Sequence, residues 1–403
     1  MKLTIIIGQC FGLNPVLGVC EIDTSKLRFT YFSGRCIYSI ISIIGQGALL
    51  LFCILRFVRD SDATLASNTF LVFYGSNFIT VLLFLRIATK WPKLCQIISK
   101  TEASDPCTDV GVIRKCNISC VLVLILAIIE HVLSDLSGAA LALDCHPNNR
   151  YEAFIKNSFP WVFVFLPYNY VIAFLSQILN IQCTFNWNYA DLFVICISFY
   201  LTSRLEQVNR KIVAAKEKKP PSSFWRATRE EYNRATNLVR CVDDVISGII
   251  FITFANNLFF ICLQLLHTLS DGIQATPSCR LKDVDVRPLK GYEQAMYFVY
   301  SFIFLVLRSL AVSLVAAQVH TSSKKPAYEL YEVPSSVYCV EIQRFLDQIH
   351  GETVALSGLQ FFNVKRGLVL AIAGTIVTYE LVLLQVTGVT PTSPPPTILT
   401  RSS

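Results

Sequence analysis

The chain has 403 residues, of which 53% are hydrophobic and only 16% charged, with a formal net charge of +7. A soluble domain cannot hide that much apolar surface, so the composition excludes an ordinary globular protein and points to an integral membrane protein. The basic residues are scattered between apolar runs, as in membrane loops rather than a nucleic-acid-binding face, and the 15 cysteines include no CxxC pair, which argues against a zinc site.

The opening MKLTIIIGQCFGLNPVLGVC has the Lys, short apolar core and small residues of a signal peptide. It is read instead as a short interfacial helix broken at Asn14-Pro15, within a cytosolic N-terminal segment, 1–35. Seven later apolar runs are long enough to span a bilayer: 36–56, 67–88, 117–141, 183–203, 244–268, 293–319 and 366–386. A further apolar stretch, Phe159 to Ile181, contains Pro160 and Pro167, which would kink a spanning helix twice. It is read as an interfacial or re-entrant segment of an outer loop, 142–182, so spans 1–4 occupy 36–203 and spans 5–6 occupy 244–319.

Charge gives the orientation. With the N-terminus inside, the inner segments hold 23 Lys and Arg residues and the outer segments 9. Positive loops stay inside, so the expected fold is an all-α, seven-helix membrane protein with a cytosolic N-terminus and an extracellular C-terminus. An eighth span would spoil this asymmetry. The fourth span continues as LTSRLEQVNRKIVAAKEKK until Pro220-Pro221, and FWRATREEYNRATNLVRCVDDVISG leads into the fifth. The 204–243 loop is therefore a pair of helical extensions, and an amphipathic helix over 337–359 anchors the 320–365 segment on the same side. The tail, 387–403, is Pro/Ser/Thr-rich and expected to be disordered outside. The sequon Asn117-Ile118-Ser119 sits at the inner end of the third span, where glycosylation would contradict this topology. Cys145 and Cys279 fall in outer loops, where a bridge is possible.

Ionisable and polar residues inside spans mark candidate function. The third span carries Glu130, His131 and Asp135 in its outer half. The fourth opens with Asn186, Trp187, Asn188 and Asp191, and Trp187 and Asp191 are four apart, on one helix face. An indole face beside carboxylates suits a sugar, whose C–H face packs on the ring while its hydroxyls donate to the acids. Asn256, Asn257, Gln264 and His267 follow on the fifth span and Tyr297 and Tyr300 on the sixth, where tyrosine equally suits an interface belt.

The last span, Gly367 to Val386, is GLVLAIAGTIVTYELVLLQV. Gly367, Ala371, Gly374, Thr378, Val382 and Gln385 form one helical stripe, small at its start and polar at its end. Such a stripe is either a close helix-packing face or the wall of a pore. Glu380 lies about 200° around the helix from Thr378 and is expected to pair within the subunit. Arg308, the one cation deep in the sixth span, is its candidate partner, although by rise it lies nearer the inside.

Thr378-Tyr379, five residues and then Gln385 resembles the C-terminal TY-x5-QF signature of insect gustatory receptors, with Val386 standing where the signature has Phe. FGLNPVLGV, RFTYFSGRCIYSI, FLRIATKWPKL, FPWVFVFLPYN, FNWNYADLF, YNRATNLVRCVDDVISGI and TFANNLFFICLQLL resemble segments of the sugar (sweet-taste) clade, in matching order over nearly the whole chain. The resemblance implies a sugar-gated, non-selective cation channel in the plasma membrane of sensory neurons, a homo- or hetero-tetramer with related gustatory receptor subunits, binding a mono- or disaccharide and no cofactor. It implies an outward-open pocket, here carried to Glu130, His131, Trp187, Asp191, Asn257 and Gln264, with Asp135, Tyr297 and Tyr300 in reserve. It also implies a central pore lined by the last helix of each subunit, with its constriction at Val382, Gln385 and Val386.

Three other classes suit a seven-span chain less well. A G-protein-coupled receptor has the opposite orientation, and no Asp-Arg-Tyr ends the third span. A secondary transporter would usually show inverted repeats, of which there is no sign, although Pro160 and Pro167 keep broken helices open. An intramembrane enzyme is not indicated, because HExxH, GxSxG and paired catalytic aspartates are missing.

Overall fold

The computed structural model describes residues 2–21, 23–59, 65–106, 110–145, 149–215, 218, 220–271 and 292–387. Each of the seven predicted spans falls in one long helix: α2 (Gly34–Arg59), α3 (Leu65–Ser104), α4 (Val110–Cys145), α7 (Tyr170–Ala215), α8 (Ser222–Asp271), α9 (Glu293–Tyr331) and α11 (Arg366–Thr387). The shorter helices are α1 (Lys2–Cys10), α5 (Arg150–Ser158), α6 (Pro160–Phe163) and α10 (Val340–Gly351). Two antiparallel strand pairs, β1 (Val16–Leu17) with β2 (Arg28–Phe29) and β3 (Ser357–Gly358) with β4 (Phe362–Asn363), and a 3-10 turn at Thr24–Lys26 are also present.

Five of these helices, α2, α3, α4, α8 and α9, are long and apolar enough to cross a membrane by length and composition. Their outward faces are aliphatic: Ile41 and Ile44 of α2, Val121, Ile125 and Ile128 of α4, and Ile303 and Leu307 of α9 are all exposed. Such a belt suits lipid, where helices satisfy their own backbone groups and apolar side chains can face outward. α7 is the opposite case. It carries Gln182, Asn186, Asn188 and Asp191, all buried, and it packs against α3, α4, α8 and α9. A helix this polar is viable in the middle of a bundle because its neighbours supply hydrogen-bond partners.

The structure gives detail to three predicted segments. The stretch from Phe159 to Ile181 is not one interfacial or re-entrant unit. Pro160 occupies the first position of α6, where its missing N–H costs nothing, and Pro167 falls in the irregular link before α7 begins at Tyr170. Neither proline kinks a helix, and 170–181 are the first turns of α7. The N-terminal helix, expected to be interfacial, docks on the bundle: α1 packs on α4 and α7, with Ile5 buried in the main core. Gly8 is required there, since a Cβ would meet the Tyr189 ring at 2.5 Å. The chain then turns at Asn14, a buried residue with φ 49, whose Nδ2 donates to the Tyr189 hydroxyl at 3.2 Å. The amphipathic helix expected over 337–359 is shorter. It ends at Gly351, and β3 follows, clamped by Asp243, whose carboxylate accepts from the Ser357 N–H and hydroxyl at 2.6 Å each.

The long helical extensions pack on one another. Beyond the apolar belt, α7, α8, α9 and α10 form a platform cross-linked by polar contacts. Arg234 donates twice to the Asp105 carboxylate at 2.7 Å, and Arg204 donates to the Asp105 carbonyl at 2.9 Å. Tyr232 and Asn209 donate to the carbonyls of Ser323 and Ser322 at 3.0 and 3.1 Å, and Arg229 pairs with Glu341 at 3.2 Å. Cys279 lies outside the described residues, as does the side chain of Cys145, so a bridge between them is not addressed.

Candidate ligand-binding cavity

At the end of the bundle away from the platform, α3, α4, α7, α8 and α9 line a cavity of about 600 Å³, to whose wall α5 and α6 also contribute. That volume lies within the usual range for small-molecule sites. Its walls come from residues that helical periodicity turns inward. Glu130, His131 and Asp135 arrive on α4, Trp187 on α7, Gln264 and His267 on α8, and Tyr297 and Ser301 on α9. Phe70, Phe73 and Tyr74 of α3 with Phe260 of α8 make one side aromatic, and Trp187 stacks obliquely on Phe260 at 4.7 Å between centroids.

Polar groups are tied together in two sets. On the first side Gln264 donates to the Ser301 hydroxyl at 3.2 Å, and Ser301 donates to Glu130 Oε1 at 2.6 Å. Asp135 accepts from Gln177 Nε2 at 3.2 Å and lies 3.6 Å from His131 Nε2. The second set runs downward from the floor. The Trp187 indole N–H donates to Asn257 Oδ1 at 3.3 Å, and Asn257 Nδ2 donates to both Asp191 oxygens at 3.3 Å. The two partners fix which way the Asn257 amide points. Asp191 is ion-paired with Arg308 Nε at 2.7 Å, and Arg308 also donates to Asn188 Oδ1. The guanidinium lies under Trp187 at 4.9 Å and beside Phe304 at 5.2 Å from the ring centroids.

Of the six expected ligand residues, Glu130, His131, Trp187 and Gln264 line the cavity, as do Asp135 and Tyr297 of the reserves. Asp191 and Asn257 do not. Trp187 and Asp191 share a face of α7, but one helical turn carries Asp191 into a fully buried ion pair below the cavity floor, and Asn257 of α8 bridges the two. Tyr300 turns away and donates to the Leu126 carbonyl at 3.0 Å, joining α9 to α4. Arg308 is engaged by Asp191, and the side chain of Glu380, its expected partner, lies outside the described residues. Trp161, Gln177, Phe260 and Glu293 line the cavity without having been foreseen. For Trp161 the signal was the aromatic density of FPWVF, and for Glu293 an acid opening an apolar span.

α11 stands at the edge of the bundle. Leu368 and Ile372 pack on the main core and Ile376 on a smaller cluster around Phe260 and Leu305. Gly367, Ala371, Gly374, Thr378 and Val382, the predicted stripe, are all exposed. A Cβ at Gly367 or Gly374 would meet nothing within 4 Å among the described residues. The side chains of Glu380, Gln385 and Val386 lie outside the described residues.

A lipid-belted helical bundle with a small polar-aromatic cavity near one end has the construction of a multi-pass membrane receptor. The family described as trehalose receptor matches residues 1–392, and this chain belongs to it. The chain is 33% identical over 384 residues to the Drosophila melanogaster gustatory receptor 5a for trehalose, covering 94% of this chain and 82% of that one. It is 30% identical over 391 residues to the Drosophila melanogaster gustatory receptor for sugar taste 64a, with the same two coverages. Among solved structures, the olfactory receptor OR5 from the insect Machilis hrabei, in complex with eugenol, superposes with a TM-score of 0.67 at 16% identity. The match covers 96% of this chain and 97% of that one, a likeness of fold. The family is one of taste receptors and not of enzymes.

Proposed function

We propose that this chain is a subunit of a sugar-gated, non-selective cation channel in the plasma membrane of taste neurons. The N-terminus and the platform are cytosolic, and the cavity opens outward. The observation that carries the reading is the cavity itself: Trp187 and Phe260 offer ring faces to sugar C–H groups, while Glu130 and Asp135 accept from hydroxyls. Its volume of about 600 Å³ accommodates a mono- or disaccharide.

The pore half of the reading is supported by α11. Its exposed stripe of small residues has no partner in its own subunit among the described residues, which suits a face turned toward copies of itself or toward related gustatory receptor subunits around a tetramer axis. Val382, Gln385 and Val386 then ring the conduction path, where apolar side chains gate by dewetting. Val386 in place of Phe makes that ring wider. Ligand closure over Trp187 reaches α9 through Asn257, Asp191 and Arg308, and α9 packs on α11.

The test is electrical recording from cells expressing the chain alone and with a related subunit, under a panel of mono- and disaccharides. Sugar-evoked cation current that survives in excised patches supports the proposal. A response that requires cytosolic GTP would replace it with G-protein signalling, and uptake of labelled sugar without current would replace it with transport.

A further inference from the structure

The β3–β4 hairpin that precedes α11 is held firmly at its base and presents an apolar tip. Asp243 clamps Ser357, and the Val364 N–H donates to the Leu356 carbonyl at 2.8 Å. Phe362 points inward, 5.6 Å from the Phe254 ring between centroids, and folds so closely over Gly358 that a Cβ there would meet it at 2.3 Å. The Phe361 N–H closes the turn on the Gly358 carbonyl at 3.0 Å, with Leu359 and Gln360 at φ 49 and 62. That left-handed region suits Asn or Gly and strains Leu. The strained turn leaves Leu359 47% and Phe361 80% exposed. The neighbouring helices give the depth of this tip. Leu359 and Leu83 of α3 both reach Gly248 of α8, at 3.9 and 3.0 Å from where a Cβ would stand. On the outer face of α3, Ile79 and Leu82 are exposed, and Arg86 and Lys90 follow at helical spacing, also exposed. That change from aliphatic to basic marks the edge of the lipid belt, and Leu359 lies on its apolar side. Lys365 and Arg366 stand at the start of α11, directly after the hairpin. Asp244, exposed one turn from Gly248 on α8, is outnumbered by these four cations.

We propose that the β3–β4 tip is a docking site for an anionic phospholipid of the leaflet on the platform side: acyl chains pack on Leu359 and Phe361, and the headgroup meets the cations at the lipid edge. Acyl chains around the two side chains remove their apolar surface from water, and anionic headgroups gather at basic residues beside a membrane. The other occupant that an exposed apolar tip could take is a second copy of the chain. The level of Leu359, and its continuity with Ile79 and Leu82 of the lipid belt, favour lipid. Val364 and Lys365 alone separate β4 from α11, so lipid held at the tip fixes where α11 begins. This docking is independent of what fills the cavity.

The experiment replaces Phe361 by photoreactive p-benzoylphenylalanine in the full-length chain, reconstitutes it in nanodiscs of equal parts phosphatidylcholine and phosphatidylserine, and identifies the products of illumination by mass. The same probe at Tyr331, exposed on the platform, is the control. A lipid adduct is expected at 361 and not at 331, with phosphatidylserine captured about threefold over phosphatidylcholine. Arg86→Gln combined with Lys365→Gln is expected to bring that ratio to about one, and added salt to lower it. Should the double variant not fold, the salt series with both cations in place decides the charge preference. Should the probe at 361 block folding, Gln360, also exposed, carries it instead. A cross-link to a second copy of the chain, or no lipid adduct above the level at Tyr331, overturns the lipid docking. Equal capture of the two lipids at low salt overturns the preference for an anionic headgroup.

Discussion

Arg308 of α9 and Asp191 of α7 meet at 2.7 Å with side chains 3% and 0% exposed, one turn below the indole that floors the cavity. Removing one partner of such a pair leaves an uncompensated buried charge, which costs about 3–5 kcal/mol. Arg308→Ala and Asp191→Asn are each expected to lower surface expression and the thermal midpoint sharply. A double replacement by apolar residues is expected to recover more stability than either single change, and a double-mutant cycle on the purified chain measures it. An additive cycle would argue against the pair.

Trp187→Phe keeps a ring on the cavity floor and removes the donor to Asn257. One hydrogen bond is worth about 1 kcal/mol net, so the half-effective sugar concentration is expected to rise about fivefold with little change in protein yield. Dose–response recording on the variant checks this. A phenotype confined to yield would make Trp187 a packing residue only.

Gly374→Ala adds a methyl group where nothing among the described residues lies within 4 Å. Folding and surface level are expected to stay the same while current per sugar-evoked response falls, because the added bulk enters the space between copies. Cysteine at Thr378, also exposed, is expected to react with a water-soluble thiol reagent faster in the presence of sugar. Unchanged current in the first variant and no labelling of the second would remove the stripe from the pore.

On the platform, Arg234's hydrogen bonds hold the Asp105 carboxyl below the usual carboxylate range. A depressed folded-state value means that the pair stabilises the protein above the unfolded value of about 3.9 and that this contribution disappears as pH falls through the folded one. Arg234→Ala is therefore expected to lower the midpoint at neutral pH by the cost of leaving a mostly buried carboxylate poorly paired, about 1–3 kcal/mol, and to flatten the loss on acidification. Melting curves across the acid range test the sign.

Much of the fold was legible in the sequence because apolar length and period are local properties. The seven runs, the extensions beyond the fourth and fifth, and the exposed stripe of α11 all follow from residues read in order. Phe159 to Asn169 was not legible in this way. Its prolines break helices in isolation, and only the packing of Trp161 against Phe70 and Tyr74 makes the segment part of the cavity wall.

The sequence by itself determined a helical membrane protein with acids, amides and an indole inside its spans, and the ordered resemblance of its segments pointed to the receptor family. Which of them share a space was decided by the tertiary structure. Helical spacing gives the direction of a side chain but not its depth or its partner on another helix. Trp187 and Asp191 share a face, yet one borders a cavity and the other is neutralised by Arg308 of α9, a partner that no spacing within one helix could identify.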